Sequence, residues 1–184
     1  MKLVSKKFKE LTAPELYEIM RARNEIFVIE QNCIYQDCDD CDYGYHVYYA
    51  DEGGRVHAYM RIYEIAEEDA VVRFEGREIW SGNLTPEQLE RAEYVCGGPC
   101  RVPSVQMGRV LTIKHGEGLG GRLLEEGIKV AWEKMGAERI FIEAESDVIG
   151  YYEKAGFKAV SGEFSKDGIP HIQMELYKSA GNPV

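Results

Sequence analysis

Apolar residues recur at spacings of three and four in two stretches of the chain, and both stretches are bounded by residues typical of helix ends. The first follows Thr12-Ala13-Pro14-Glu15, a capping-box pattern in which the threonine and glutamate side chains bind amides that a helix start leaves unpaired. It predicts an amphipathic helix reaching toward Glu30, and its face consists of Leu16, Ile19, Met20 and Arg23, continued by Ile26 and Phe27. The second stretch predicts a long helix from about Gly118 to Gly136, with this face: Leu119, Leu123, Leu124, Ile128, Ala131 and Met135.

Runs rich in β-branched and aromatic residues predict the strands of a sheet. These runs occupy residues 2–8, 45–50, 56–65, 71–74, 107–113, 139–145, 157–164 and 170–177. Turn-forming residues at 51–55 predict a hairpin, and a short helix is expected at 147–155. Residues 66–104, which contain a further helix start at Thr85, interrupt the regular pattern and are interpreted as an insertion. The order of elements predicts an α/β fold: a mixed central sheet with helices on both faces.

Length and charge limit the classes of function. The chain has 184 residues, which suits one domain covering residues 1–184. Acidic residues outnumber basic ones by 32 to 22, and the net charge of −10 predicts neither a nucleic acid nor a membrane surface as partner. No apolar run is long enough to span a bilayer. The lysine-rich residues 1–11 contain no apolar core of a signal peptide, so a cytoplasmic location is expected.

The chain has 5 cysteines, at positions 33, 38, 41, 96 and 100. In a reducing compartment these are expected to be free thiols. A four-thiolate zinc site made by Cys38, Cys41, Cys96 and Cys100 is the alternative, since both pairs have spacings that zinc sites use. An iron–sulfur cluster is disfavoured, because the neighbouring aspartates would add negative charge to an anionic cluster. No metal is predicted at the functional site.

A glycine-rich segment, residues 115–121, joins a predicted strand to the long helix. Such a turn presents unpaired main-chain N–H groups with the positive end of the helix dipole behind them. Glycines at 116, 118, 120 and 121 let a phosphate approach the backbone without Cβ atoms in the way. The segment lacks the Gly-Lys-Ser/Thr of a P-loop, and the order of elements does not suit a dinucleotide fingerprint. It therefore predicts an anion site of another kind.

Two motifs together are more specific than the glycines alone. The segment His115-Gly-Glu-Gly-Leu-Gly120 resembles the Arg/Gln-x-x-Gly-x-Gly helix start of the GNAT family of N-acetyltransferases, and Tyr152-Glu-Lys-Ala-Gly-Phe157 resembles that family's Tyr-x-x-x-Gly-Phe helix end. Residues 23–37 and 167–174 are similar to the stretches that distinguish the ElaA-like subgroup, Arg-x-x-Val-Phe-Val-Val-Glu-Gln-x-Cys-x-Tyr-x-Asp and Asp-Gly-Ile-Pro-His-Ile-x-Met. Glu145 departs from the subgroup, which usually has glutamine there.

This resemblance implies the GNAT acyl-CoA N-acyltransferase fold, acetyl-CoA as co-substrate and a primary amine, small molecule or peptide, as acceptor. Main-chain groups of Val110, Leu111 and Thr112 would bind the pantetheine arm as an added strand does, and one N–H would polarise the thioester carbonyl. Tyr152 would protonate the departing thiolate. The segment implied to bind the pyrophosphate consists of His115, Gly116, Glu117, Gly118, Leu119, Gly120 and Gly121.

A base is also required, because an alkylammonium is not a nucleophile. Glu30, His46 and His171 are candidates, and Glu30 and His171 are preferred because they lie in the two stretches that distinguish the subgroup. A relay through water is equally open. The sequence leaves both a monomer and a homodimer possible.

Two other functions stay open. Arg23 and Phe27, followed by Asp37, Asp39 and Asp42, resemble the amino-terminal pattern of acyl-homoserine-lactone synthases, in which an acidic triad serves the amine substrate. The second alternative is a non-catalytic module that binds acyl-CoA. The acidic residues 37–42 are expected to form either a solvated loop or a patch that attracts a cationic amine.

Overall fold

A computed structural model describes residues 1–32, 35–65, 71–80, 84–94, 102–114, 116–166 and 168–178. Its strands are β1 Lys2–Lys7, β2 Tyr45–Ala50, β3 Val56–Ile65, β4 Val71–Phe74, β5 Arg77–Trp80, β6 Glu93–Tyr94, β7 Ser104–Thr112, β8 Arg139–Glu145, β9 Lys158–Ala159, β10 Phe164–Lys166 and β11 Ile169–Tyr177. Its α-helices are α1 Ala13–Arg23, α2 Pro86–Leu89, α3 Leu119–Lys129 and α4 Ile149–Lys154. Two compact units result, Met1–Tyr63 with Gln106–Met135, and Glu64–Val105 with Gly136–Val184.

The sheet of the first unit runs in the order β1, β2, β3, β7. β1 and β2 pair antiparallel, as do β2 and β3. The turn between β2 and β3 is the predicted hairpin, and Asp51 stabilises it because its carboxylate accepts hydrogen bonds from the main-chain N–H groups of Gly53 and Arg55. The hairpin prediction is confirmed.

Helix α1 begins at the predicted capping box. The Thr12 hydroxyl accepts from the amide of Glu15, whose carboxylate accepts from the amide of Thr12 at 2.9 Å. The helix continues as a π-helical segment, Asn24–Glu30. Its buried face packs in a core cluster with residues of β2, β3 and β7: Ile19, Ala22, Ile26, Phe27, Tyr48, Tyr59 and Leu111. The predicted extent and apolar face of this helix are confirmed.

Helix α3 begins one residue after Gly118, continues as a π-helical segment, Val130–Lys134, and ends before Gly136. Leu119, Leu123 and Leu124 are buried, as the apolar spacing predicts. Gly127 faces the sheet so closely that a Cβ there would lie 2.2 Å from the Met60 Sδ atom. Glycine at this position therefore sets the distance between the helix and β3.

The sheet of the second unit contains β8, β11 and β10, and β9 also pairs with β11. Both β8 and β10 run antiparallel to β11. The single strand predicted over 157–164 is wrong, because it is divided into β9 and β10. Between them the Ser161 hydroxyl, instead of a main-chain carbonyl, accepts the Gln173 N–H at 2.9 Å, and this interrupts the ladder.

The predicted insertion contributes a small sheet of order β5, β4, β6 to the second unit. Thr85 caps α2 with Gln88, as its pattern predicts. The prediction that residues 1–184 form one domain stays a prediction. No helix in the described ranges is long and apolar enough to cross a membrane.

Candidate functional site

The glycine turn before α3 has the geometry of an anion cradle. Gly116 and Gly118 adopt left-handed backbone conformations, with φ of 81° and 69°. Gly118 is the N-cap of α3, and none of the side chains that the structure describes caps the helix start. A Cβ atom added at Gly116, Gly118 or Gly121 would meet nothing within 4 Å. The N-terminal end of the helix dipole therefore faces space that an anionic group can fill.

The other residues of the predicted pyrophosphate-binding segment differ in their exposure to solvent. The Leu119 side chain is 3% exposed and anchors the helix start in the core, so only its main chain can serve a ligand. Glu117 is exposed. His115 lies outside the described residues.

Val110, Leu111 and Thr112 form the last three positions of β7, in the same unit as the glycine turn. Leu111 is buried in the core cluster, whereas Val110 and Thr112 are half-buried. Beyond the strand end, the Ile113 N–H donates to the His57 carbonyl at 2.9 Å, which keeps this end of β7 tied to β3.

Tyr152 lies on α4 in the second unit, and the local fold explains its motif. Gly156 has a φ of 96°, a conformation that favours glycine, and it turns the chain so that the Phe157 N–H donates to the Tyr152 carbonyl. The rings of Tyr152 and Phe157 then meet edge to face, 5.8 Å between centroids. Burial raises the pKa of the Tyr152 phenol above its ordinary range, and the nearby Tyr151 and the negative charge of Glu145 raise it further. The phenol is therefore protonated at neutral pH, as a proton donor must be.

The register of β8 and β11 sets His171 opposite Glu145. Residues directly opposite in an antiparallel pair share a face of the sheet, so both side chains lie on one face. The His171 Nδ1 lies 2.9 Å from the Ile169 carbonyl oxygen, which can only accept a hydrogen bond. The proton of the neutral ring is thereby assigned to Nδ1, and Nε2 becomes the proton acceptor. In the second unit, the charge of Glu145 acts on the Tyr152 phenol, and Glu145 lies opposite His171 on the sheet.

Several known proteins are similar to this chain in sequence and fold. Residues 103–178 match the model of the acetyltransferase (GNAT) domain. The ElaA protein of Escherichia coli is 26% identical over 170 residues, 90% of this chain and 89% of its own. The two structures superpose with a TM-score of 0.71, covering 95% of this chain and 99% of ElaA. Residues 103–178 are therefore similar to a GNAT domain, and the chain over most of its length is similar to ElaA.

Two further proteins extend the likeness. A UPF0039 protein of Schizosaccharomyces pombe is 26% identical over 180 residues, 96% of this chain and 97% of its own. The crystal structure of an acyl-CoA N-acyltransferase from Pseudomonas aeruginosa has a TM-score of 0.69 at 27% identity, covering 95% of this chain and 97% of the other. The predicted fold class, the mixed sheet of GNAT acyl-CoA N-acyltransferases with flanking helices, is confirmed.

The remaining base candidates, Glu30 and His46, differ in their surroundings. Glu30 ends the π-helical segment after α1 and is exposed. His46 is 1% exposed, and both ring nitrogens are engaged: Nδ1 with the Tyr59 hydroxyl at 2.9 Å and Nε2 with the Asp42 carbonyl at 2.7 Å. Burial lowers the pKa of His46. With both ring nitrogens engaged, His46 is a weaker candidate for the base than Glu30 or His171.

Three aspartates of the acidic loop are paired with arginines, an arrangement that neither of the two expectations for this loop describes. We call the six residues Arg23, Arg61, Arg109, Asp37, Asp39 and Asp42 the arginine–aspartate cluster. Arg23 donates to Asp37 at 2.8 Å and to Asp42 at 2.5 Å, and Arg61 donates through both terminal nitrogens to Asp39 at 2.5 Å. Arg109 donates to Asp37 at 2.7 Å. Three positive charges thus balance three negative ones.

The pairing fixes the charge of these carboxylates. Burial by itself would raise the pKa of Asp39, but hydrogen bonds and charge from Arg61, with the charge of Arg109, lower it to about 2. In Asp42 the same effect of burial is outweighed by Arg23 and Arg61, and its pKa is also lowered. Arg61 and Arg109 were not predicted as partners of these aspartates. The available signal was an arginine inside each of two runs predicted as strands, 56–65 and 107–113.

The thiols of the acidic loop are described only in part. Cys38 is exposed and Cys41 is half-buried, and both are free. Cys33, Cys96 and Cys100 lie outside the described residues, so the zinc alternative stays a prediction.

Proposed function

We propose that this chain is an N-acetyltransferase that transfers an acetyl group from acetyl-CoA to a primary amine. The observation that carries the proposal is the uncapped, glycine-rich start of α3 directly after β7. There, Cβ atoms at Gly116, Gly118 and Gly121 would meet nothing within 4 Å. A diphosphate fits such a helix start, because main-chain N–H groups and the helix dipole are both directed at it.

In this proposal the first unit binds the donor. Main-chain N–H groups from Gly116 to Gly121 hold the pyrophosphate. Main-chain groups of Val110 to Thr112 hold the pantetheine amides, and one N–H of this strand polarises the thioester carbonyl as negative charge develops on its oxygen. Acetyl-CoA supplies the activated acyl group, and its affinity depends on these main-chain groups.

The proposed reaction is a direct transfer. The neutral amine attacks the thioester carbonyl, a C–N bond forms, and the C–S bond breaks. The base takes a proton from the amine, and Tyr152 gives its phenolic proton to the CoA thiolate. His171 is our preferred base because its Nε2 is the accepting nitrogen and because it lies opposite Glu145 in the register of β8 and β11. Glu30 remains the second candidate.

The arginine–aspartate cluster bears on the acyl-homoserine-lactone alternative. In that alternative Asp37, Asp39 and Asp42 would serve a cationic amine substrate. All three carboxylates already accept hydrogen bonds from guanidinium groups. A second cation would have to displace an arginine, so we place the acceptor elsewhere.

Titration calorimetry with acetyl-CoA, followed by an assay of CoA release over polyamines, aminoglycosides, amino acids and lysine peptides, tests the proposal. Because Cys38 is an exposed free thiol, CoA release has to be read after the protein is removed. Binding with turnover supports the acetyltransferase. Binding without turnover on the whole panel favours the non-catalytic module, and absence of binding refutes the proposal.

A variant pair tests the cradle itself. Gly121→Leu places a side chain in the open space at the helix start and should raise the Kd for CoA by about tenfold or more, a loss of about 1.4 kcal/mol. The fold should not suffer, since leucine is a better helix former than glycine by roughly 0.5–1 kcal/mol. Glu125→Leu, one turn further along α3 at another exposed position, is the matched control and should bind CoA like the wild type. Equal affinity of both variants and the wild type would show that the cradle does not bind the donor.

A further inference from the structure

Arg109 has an unusual backbone conformation for its position. In the described parts of the chain, the non-glycine residues with positive φ are Asn32, Asp40, Glu75 and Arg109, and of these Arg109 is the one inside a strand. Its φ is 52°, in the left-handed region, which is unfavourable for any residue with a Cβ atom. Such a residue bends a strand and changes the direction in which the following main-chain groups point.

The Arg109 side chain is held at several points. Its Nε donates to Asp37 Oδ1 at 2.7 Å, and one terminal nitrogen donates to Asp39 Oδ2 at 3.2 Å. The guanidinium also lies against two rings, 5.1 Å from the centroid of Tyr35 and 5.9 Å from that of Phe27. These contacts are strong enough to offset an unfavourable backbone conformation, because hydrogen bonds between charged groups and cation–π contacts act together.

Asp37 is itself firmly placed. Its second carboxylate oxygen accepts from the Nε of Arg23, and its main-chain carbonyl accepts from a terminal nitrogen of Arg23, both at 2.8 Å. The Arg23 side chain is fully buried. One aspartate therefore connects the buried end of α1 to the left-handed position of β7.

We propose that Asp37, by holding the Arg109 side chain, keeps residue 109 in the left-handed conformation and so orients the main-chain groups of Val110 to Thr112 toward the donor. Arg109 is then a positioning residue for acyl-CoA binding, acting through its backbone conformation and not through its charge. The inference rests on the proposed function, because it assigns the donor to β7.

Comparison of Arg109→Ala with Arg109→Gly separates conformation from charge. Both variants lose the guanidinium and all of its contacts. Glycine adopts positive φ as readily as negative φ, whereas alanine adopts positive φ only at a cost in free energy. Residue 109 should therefore still adopt the left-handed conformation in Arg109→Gly. We expect Arg109→Ala to bind CoA about fivefold to thirtyfold more weakly than Arg109→Gly. This ratio of Kd values is the cost of the left-handed conformation for a residue with a Cβ atom, about 1–2 kcal/mol, converted at 1.4 kcal/mol per tenfold.

The measurement is titration calorimetry with CoA, well below the unfolding temperature of each variant. Glu15→Gln is the control, since it removes the charge of an ion pair between β1 and α1, Lys6 with Glu15 at 2.7 Å, in the same unit. It should lower the unfolding temperature and leave the Kd for CoA unchanged. An Ala variant weaker than the Gly variant supports the inference.

Other outcomes overturn it. Equal Kd values for Arg109→Ala and Arg109→Gly, whether both weakened or both like the wild type, would show that the backbone conformation does not control binding. Weaker binding by Glu15→Gln would show that the affinity follows stability alone. A wild-type chain that binds no CoA would refute the proposed function as well, and that result is distinct from the other two.

Discussion

Replacing Arg23 with methionine tests the energetics of the arginine–aspartate cluster. The side chain is 0% exposed and donates to Asp37 and Asp42 and to the Asp37 main-chain carbonyl. Methionine has a similar length and an apolar character that suits the site, so it fills the space without offering a donor. The variant therefore removes one charge and three hydrogen bonds while leaving little empty volume.

The magnitude follows from the partners that remain. Removing one member of a buried ion pair costs about 3–5 kcal/mol, because the other charge stays buried without compensation. Here Asp37 keeps Arg109 and Asp42 keeps Arg61. We therefore expect a loss of about 3 kcal/mol, at the lower end of that range. For a chain of this length the loss corresponds to a fall of about 6–12 °C in Tm.

A second substitution, Asp42→Asn, tests whether the loss of stability depends on the balance of charges in the cluster. Arg23→Met leaves three aspartates with two arginines, and Asp42→Asn leaves three arginines with two aspartates. The double variant restores an equal number of each. Its loss of unfolding free energy should be smaller than the sum of the two single losses by about 1 kcal/mol or more, as expected for residues of one network.

Urea denaturation at pH 7, followed by circular dichroism, measures all three variants against the wild type. Two results would refute the reasoning. A loss below about 1 kcal/mol for Arg23→Met would show that the ion pairs of Arg23 contribute no more to stability than solvent-exposed ion pairs do. Losses that add to within about 0.5 kcal/mol would show that the two side chains act independently.

Three further predictions concern the second unit, a buried histidine and a tight glycine. Tyr152→Phe should lower kcat by about 10²–10⁴-fold and leave the Kd for CoA unchanged, because only the proton donor is lost, and an unchanged kcat would remove Tyr152 from this role. Burial lowers the pKa of His46, so the unfolded chain binds the proton first, and the unfolding free energy should fall as the pH drops below about 6.5. In urea titrations at pH 7.5 and 5.5, His46→Gln should lose most of this pH dependence. A variant that kept the dependence would contradict its assignment to His46. Gly44→Ala should lower the unfolding free energy by about 1–3 kcal/mol, since its Cβ would lie 2.1 Å from the Ile62 carbonyl oxygen. Wild-type stability of this variant in urea would show that the backbone shifts without cost.

Local signals predicted much of the fold. The capping box at Thr12 and the hairpin at residues 51–55 depend on neighbouring residues, and both are found where the sequence places them. The Tyr-x-x-x-Gly-Phe motif is also local, since Gly156 makes the turn that brings Phe157 against Tyr152. The strand expected at 157–164 failed because its interruption depends on Ser161 pairing with Gln173 of another strand, and periodicity carries no information on that contact.

The cluster shows a different limit of sequence reasoning. A run of aspartates is ordinarily solvated, and an arginine in an amphipathic helix ordinarily extends to water. Arg23, which is fully buried, and Asp37 instead belong to a network whose other two arginines come from β3 and β7. The β-rich runs predicted that positions 61 and 109 lie in strands, but no spacing rule identifies which distant carboxylates they meet. The sequence also did not decide between Glu30 and His171 as the base, because the two residues are far apart along the chain and no spacing rule relates either of them to the amine.

The long sequence separation within this network has a kinetic consequence. Asp37 and Arg109 are 72 positions apart, so their contact closes a large loop and can form only after β7 has joined the sheet. Contacts of this kind form late, since the entropy of loop closure is lost before they contribute any stability. Substitutions in the cluster should therefore speed unfolding far more than they slow folding. The network then governs how long a folded molecule persists more than how quickly a new one is made.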